Sequence, residues 1–139
     1  MNLFLIIFIF GFCVNLAYEL CHSFLYETCR QASLKKYIYL MLKAALFDAF
    51  VITFIYWFTT IIFRNENIFY NYGQLAAFLV ISLAIAFWYE KIALYYHRWE
   101  YATQMPMIFG VGLTPFIQLA LTGALVLHFT FNLASFKIN

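Results

Sequence analysis

The chain has 139 residues, of which 66% are hydrophobic, 23% aromatic and 10% charged. A soluble domain is roughly 45–50% apolar and about 25% charged, so a single small water-exposed fold cannot cover this much apolar surface, whereas lipid can. The formal net charge is only +2, and no Lys/Arg stripe is interleaved with aromatics, which argues against a nucleic-acid partner.

The first apolar run covers approximately residues 2–20. Met1 to Leu20 carries no Lys or Arg, and Ala17 is followed by Tyr18 and Glu19 rather than by a small-residue cut site. The run therefore reads as a retained first span rather than a signal peptide. Asn15, Glu19 and His22 are spaced by four and three, which places them on one helical face near the end of that span. Glu19-x-x-His22 has the spacing used by di-iron carboxylate bundles, but such a site needs a second pair. The nearest equivalent, Glu90 and His97, lies about 10 Å apart along a helix, so neither a metal nor another cofactor is expected. Cys13, Cys21 and Cys29 form no C-x-x-C pair and read as thiols, Cys13 as a small hydrophobe in the first span.

The second run covers approximately residues 39–63, with Asp48 several residues inside it. The third covers approximately 73–96, with Glu90 near its end and His97 seven residues on. The segment Lys91–Pro106 is basic and aromatic. Its Tyr95, Tyr96, Trp99 and Tyr101 suit the headgroup level, and its first part is expected to continue the third helix. The fourth run covers approximately 107–131. There Gly110, Thr114, Gln118 and Thr122 repeat every four residues, and Ala120-x-x-x-Ala124 adds a small-residue packing signal. Pro115 is expected to kink this helix, and His128 reads as an interfacial polar contact. Each run approaches the roughly 20 residues that a helix needs to cross about 30 Å of hydrocarbon. None alternates as a barrel strand would. The expected fold is an all-α transmembrane four-helix bundle, one domain over 1–139.

Direction follows from the positive-inside rule. Arg30, Lys35, Lys36, Lys43, Lys91 and Arg98 belong to one side, Arg64 and Lys137 to the other. The richer side should be cytoplasmic, which places both termini outside.

In that arrangement Glu19, Asp48, Glu90 and Gln118 all fall in the cytoplasmic half of the bilayer. A carboxylate facing lipid costs several kcal/mol, so the acids should turn inward. Three carboxyl groups in one dry pocket cannot all stay ionised cheaply. They share protons, bind a cation, or pair with Lys43, Lys91 or Arg98. The expected pocket comprises Asn15, Glu19, His22, Asp48, Glu90, Arg98, Thr114 and Gln118, with Glu19, Asp48 and Glu90 as candidate catalytic groups. A duller arrangement has Glu19 and Glu90 in ordinary interfacial ion pairs, and Asp48 held by a hydrogen bond from Asn15 or Tyr18.

Two resemblances attach to these residues. The features Asn15-x3-Glu19, Leu25-Tyr26, Asp48-Ala49, Arg98-Trp99-x-Tyr101, Met105-Pro106 and Gly110-Val111-Gly112-Leu113-x-Pro115-x2-Gln118-Leu119 resemble a group of small, uncharacterised prokaryotic integral membrane proteins. That likeness covers most of the chain and implies a bacterial inner membrane, but no activity. The segment Trp99–Gln118 is also similar to a stretch of the carotenoid-type lycopene cyclases, whose motif reads Pro-x-Glu-Glu. Here it reads Pro115-Phe116-Ile117-Gln118 and lacks both acids, so the likeness implies an isoprenoid-binding bundle without cyclase chemistry.

Three functions fit these residues. The first is a bundle whose polar pocket binds a lipid-like ligand or docks a partner helix from another membrane protein. The second is an enzyme that protonates an isoprenoid or lipid through Glu19 or Asp48. The third is an oligomeric transporter in which those acids carry protons or cations.

Overall fold

Asn2 opens the first helix by accepting a hydrogen bond from Phe4 N through its side chain (3.0 Å), the usual means of satisfying an orphan first-turn amide. The structure, a computed structural model, describes residues 2–136; Lys137, counted above for the outer side, lies outside them. Helix α1 runs Leu3–His22 and passes through a 3-10 turn (Ser23–Leu25) into the short α2, Glu27–Arg30. Helix α3 spans Leu34–Phe63, α4 Tyr72–Tyr95 and α5 Leu113–Phe136. The chain is thus an all-α four-helix bundle, and its four long helices are apolar enough to cross a membrane.

The buried positions explain why the helices associate. Along α1 they are Ile7, Gly11, Asn15, Glu19 and His22; along α4 they include Gln74, Phe78, Ser82, Ala86 and Glu90. Each series steps by three or four residues, the spacing of one helical face. Helix α1 packs against α3 and α5, and α4 against α5 and α3, closing a ring of four. Two glycines allow close packing between helices. A Cβ on Gly11 would sit 3.3 Å from Ala49 Cα, and one on Gly123 would sit 2.7 Å from the Phe78 ring. Ile7, Ile52, Ile55, Tyr56, Val126 and Leu127 fill the apolar part of the interior. Phe50, Phe54, Trp57, Val80 and Leu121 point outward, the side on which hydrocarbon would lie.

Two boundaries differ from the sequence expectation. Helix α3 begins at Leu34 rather than near residue 39. Its 30 residues span about 45 Å at 1.5 Å per residue, so the first turns, with Lys35 and Lys36, project beyond a hydrocarbon layer of about 30 Å. Hydropathy marks what lipid covers, not where helical hydrogen bonding starts. The fourth helix begins at Leu113 rather than near 107, because Met107–Ile108 and Val111–Gly112 pair as a two-residue hairpin. The turn residues Phe109 and Gly110 have φ of 51° and 75°, the doubly positive pattern of a tight hairpin turn. Gly110 is therefore not part of the helical stripe with Thr114, Gln118 and Thr122. Pro115 is the third residue of α5. In the first turn there is no intrahelical hydrogen bond for proline to remove, so it begins the helix instead of kinking it.

Helix α4 continues past Lys91 to Tyr95, as the sequence suggests, but His97 then adopts a left-handed φ of 51°. His97 is consequently exposed and off the Glu90 face. The chain then turns back and pairs with the first connection. Ala102 N donates to Leu25 O (2.8 Å), Glu27 N to Glu100 O (2.9 Å) and Glu100 N to Thr28 Oγ1 (2.8 Å). The two connections together form a cap across one end of the bundle.

Candidate functional site

At the capped end, polar side chains replace the apolar interior. Gln118 on α5 is their centre. Its Nε2 donates to Glu19 Oε1 on α1 (2.8 Å) and to Asp48 Oδ2 on α3 (2.7 Å). An amide nitrogen has two hydrogens, so these two bonds use both. Asn15 Oδ1 lies 3.4 Å from the same nitrogen and 2.9 Å from Thr122 Oγ1, whose one hydrogen is shared between it and Gln118 O at 2.8 Å. Asn15 Nδ2 returns to its own helix at Gly11 O (2.8 Å).

His22 completes the α1 face. Its Nδ1 meets Tyr18 O at 2.8 Å. A carbonyl only accepts, so Nδ1 carries the hydrogen. The other nitrogen, Nε2, is buried without a hydrogen-bond partner and lies 3.9 Å from Glu19 Oε2.

Glu90 is held by the cap. Both Trp99 Nε1 (3.2 Å) and the Tyr101 hydroxyl donate to its Oε2, and the Tyr101 oxygen accepts from Gly112 N at 3.0 Å. Tyr101 thereby ties the end of α4 to the hairpin before α5. Burial, then the adjacent Glu90 carboxyl, hold the Tyr101 phenol well above its ordinary range, so it remains a donor. Burial likewise raises the Tyr26 phenol and, aided by Glu19, the Cys29 thiol. Tyr26 packs edge-on to Trp99 and Tyr101 at 6.3 and 5.4 Å. Tyr95 and Tyr96 are exposed, whereas Trp99 and Tyr101 are half-buried and turned to Glu90. A carboxyl at the end of α4 needs donors, and these two rings supply them.

Between α3 and α4 lies a cleft of about 610 Å³, within the roughly 300–1,000 Å³ typical of ligand pockets. All three acids and Gln118 line it, together with Tyr89, Trp99 and Cys29. Phe47 stacks on Tyr89 at 4.6 Å across it. Lys43 and Arg98 line it too, and both are exposed side chains. Neither pairs with an acid: among the described residues the ion pairs within 4.0 Å are Glu27–Arg30 and Glu19–His22. Lys43 lies over Tyr39, Arg98 over Tyr96 and Lys91 over Phe87. The interfacial pairing of Glu19 and Glu90 with Lys43, Lys91 or Arg98 is therefore not what the structure contains, because aromatic rings and an amide take those partners' places.

Of the expected pocket residues, Asn15, Glu19, His22, Asp48 and Gln118 form one network, and Glu90 and Arg98 face the same cleft. Thr114 stands apart: its hydroxyl contacts Met105 Sδ (3.4 Å), and its carbonyl accepts from Tyr18. The donor to Asp48 is Gln118, not Asn15 or Tyr18. Tyr26, Trp99, Tyr101 and Thr122 were not singled out for this site. Their signal lay in the local sequence Arg98-Trp99-x-Tyr101 and in the four-residue step from Gln118 to Thr122. No group of three or more His, Cys, Asp or Glu residues among those described is placed to hold a metal. Cys13 is exposed on the outside of α1 rather than packed inward.

The fold and site define a helical bundle of membrane-length helices with an acid-lined cleft at its capped end. No protein-family model, curated protein or solved structure matches the chain.

Proposed function

We propose that this protein is a membrane-resident binding bundle whose cleft takes the polar end of an amphiphile. The observation that carries this reading is the cleft of about 610 Å³ in which acids from three helices meet beside aromatic faces with no lysine or arginine bonded to them. Polar groups buried this deep are retained at a cost unless they meet a partner. Leu40, Met41, Ala44, Phe47 and Leu119 give the cleft an apolar wall against which an acyl or isoprenoid chain would pack. The basic residues Arg30, Lys35, Lys36 and Arg98 are exposed toward the same capped end, which supports a cytoplasmic cap and outward termini.

Protection of Cys29 tests the reading. With Cys13 and Cys21 changed to Ala, alkylation of Cys29 in detergent-solubilised protein should slow when a matching amphiphile occupies the cleft. Unchanged rates across lipid, isoprenoid and detergent-like amphiphiles would remove the binding role.

A second reading has one observation in its favour. Glu19 and Asp48 share one amide at the cleft, where a protonated acid would face a bound alkene or lipid. An enzyme of that kind loses turnover, but not binding, in Asp48→Asn.

A further inference from the structure

The acceptors around the cleft are only half used. Gln118 takes Glu19 Oε1 and Asp48 Oδ2, while Trp99 and Tyr101 take Glu90 Oε2. Glu19 Oε2, Asp48 Oδ1 and Glu90 Oε1 receive no hydrogen bond from an amide, hydroxyl or indole of the described residues. Glu90 lines the same cleft as both other acids. His22 is 6% exposed, and its buried Nε2 has no hydrogen-bond partner and lies 3.9 Å from Glu19 Oε2. These three carboxyl oxygens therefore lack N–H donors and a bonded lysine or arginine, and a primary ammonium brings both hydrogens and charge. A quaternary ammonium brings charge but no hydrogen.

The charges are also segregated. The acids are buried or part-buried along the helices, whereas Lys43 and Arg98 are exposed side chains of the same cleft. Both cations rest over tyrosine rings at 5.8 and 5.9 Å rather than on a carboxylate, which leaves them available to an anion. A ligand with an ammonium at its tip and a phosphate next to it matches that order.

Building on the cleft-binding reading above, we infer that the cleft recognises the aminoethyl-phosphate headgroup of an aminophospholipid. The ammonium lies among Glu19, Asp48 and Glu90, the phosphate lies at Lys43 and Arg98, and the acyl chains lie along the cleft's apolar side. The apolar wall of Leu40, Met41, Ala44, Phe47 and Leu119 favours a lipid over the free headgroup.

Titrations of the Cys13→Ala, Cys21→Ala protein in a non-ionic detergent test this, with Cys29 alkylation and native mass spectrometry as readouts. The ligands are short-chain phosphatidylethanolamine, phosphatidylcholine and phosphatidylglycerol, and free phosphorylethanolamine. Phosphatidylethanolamine should bind at least about tenfold more tightly than either other lipid, the scale of one charged hydrogen bond. Glu90→Gln should lower that preference, whereas Lys43→Ala should weaken all three lipids alike. The wild-type ranking stands even where a variant fails to fold. Equal binding of the three lipids, or a preference for phosphatidylglycerol, overturns the headgroup assignment but leaves a cleft that binds amphiphiles. Equally tight binding of free phosphorylethanolamine overturns the membrane source. If no ligand slows alkylation, the binding reading itself falls.

Discussion

Gln118 and Asp48 meet across the bundle, with an amide hydrogen from α5 placed 2.7 Å from a carboxyl oxygen of α3. The same amide holds Glu19, so one neutral side chain satisfies acids from two other helices. A lysine here would neutralise the acids and close the question of a ligand. A glutamine satisfies half of their acceptors and leaves the charge unanswered.

Replacement of Gln118 by Leu should therefore destabilise the bundle, since it strands two buried acceptors at once. A loss of about 1–3 kcal/mol per stranded group is the expected scale. Thermal or denaturant unfolding in detergent measures it. The Asp48→Asn, Gln118→Leu pair should be less than additive, because the two side chains share one bond.

Tyr101→Phe removes a donor to Glu90 and the acceptor for Gly112 N in one step. The expected cost is about 1–2 kcal/mol, localised to the cap. Amide hydrogen exchange should speed up at Gly112 and through the segment 99–105 while α1 and α3 keep their protection. Uniform acceleration along the chain would mean that Tyr101 supports the whole bundle rather than its cap.

Gly123→Ala should be harmful for a different reason. The added methyl meets the Phe78 ring at 2.7 Å, which forces a ring or a helix to move. Overpacking of this kind costs about 1–3 kcal/mol. Gly11→Ala meets Ala49 backbone at 3.3 Å and should cost less. A companion Phe78→Leu change should recover part of the Gly123→Ala loss and little of the Gly11→Ala loss, as read by unfolding midpoints.

Cys29 supplies a pH measurement. Burial, and after it Glu19, raises its thiol above the ordinary range. The thiolate is the reactive form, so at a given pH a raised thiol has less of it and alkylates more slowly. The rate should keep rising beyond about pH 8.5, where a free cysteine is half ionised. Glu19→Gln should move that profile toward lower pH, since it removes one of the two causes. A profile matching a free thiol would place Cys29 outside the cleft.

The sequence by itself determined the class of fold and the inward-facing polar stripes. Apolar runs of bilayer length demand helices, and Asn15, Glu19 and His22 at helical spacing demand one polar face. Periodicity reports a residue's angle around its own axis and says nothing of the neighbour across the gap. That Gln118 reaches both Glu19 and Asp48 depends on the rotation and axial offset of three helices, set by packing at Gly11–Ala49 and Gly123–Phe78. The fate of Trp99 and Tyr101 was similarly beyond local reading. An aromatic near a helix end suits a headgroup layer equally well until the chain turns back, and only the pairing of the two capping connections directs those rings to Glu90. Tertiary structure alone made that choice, because a buried carboxyl takes the donors that the fold delivers to it.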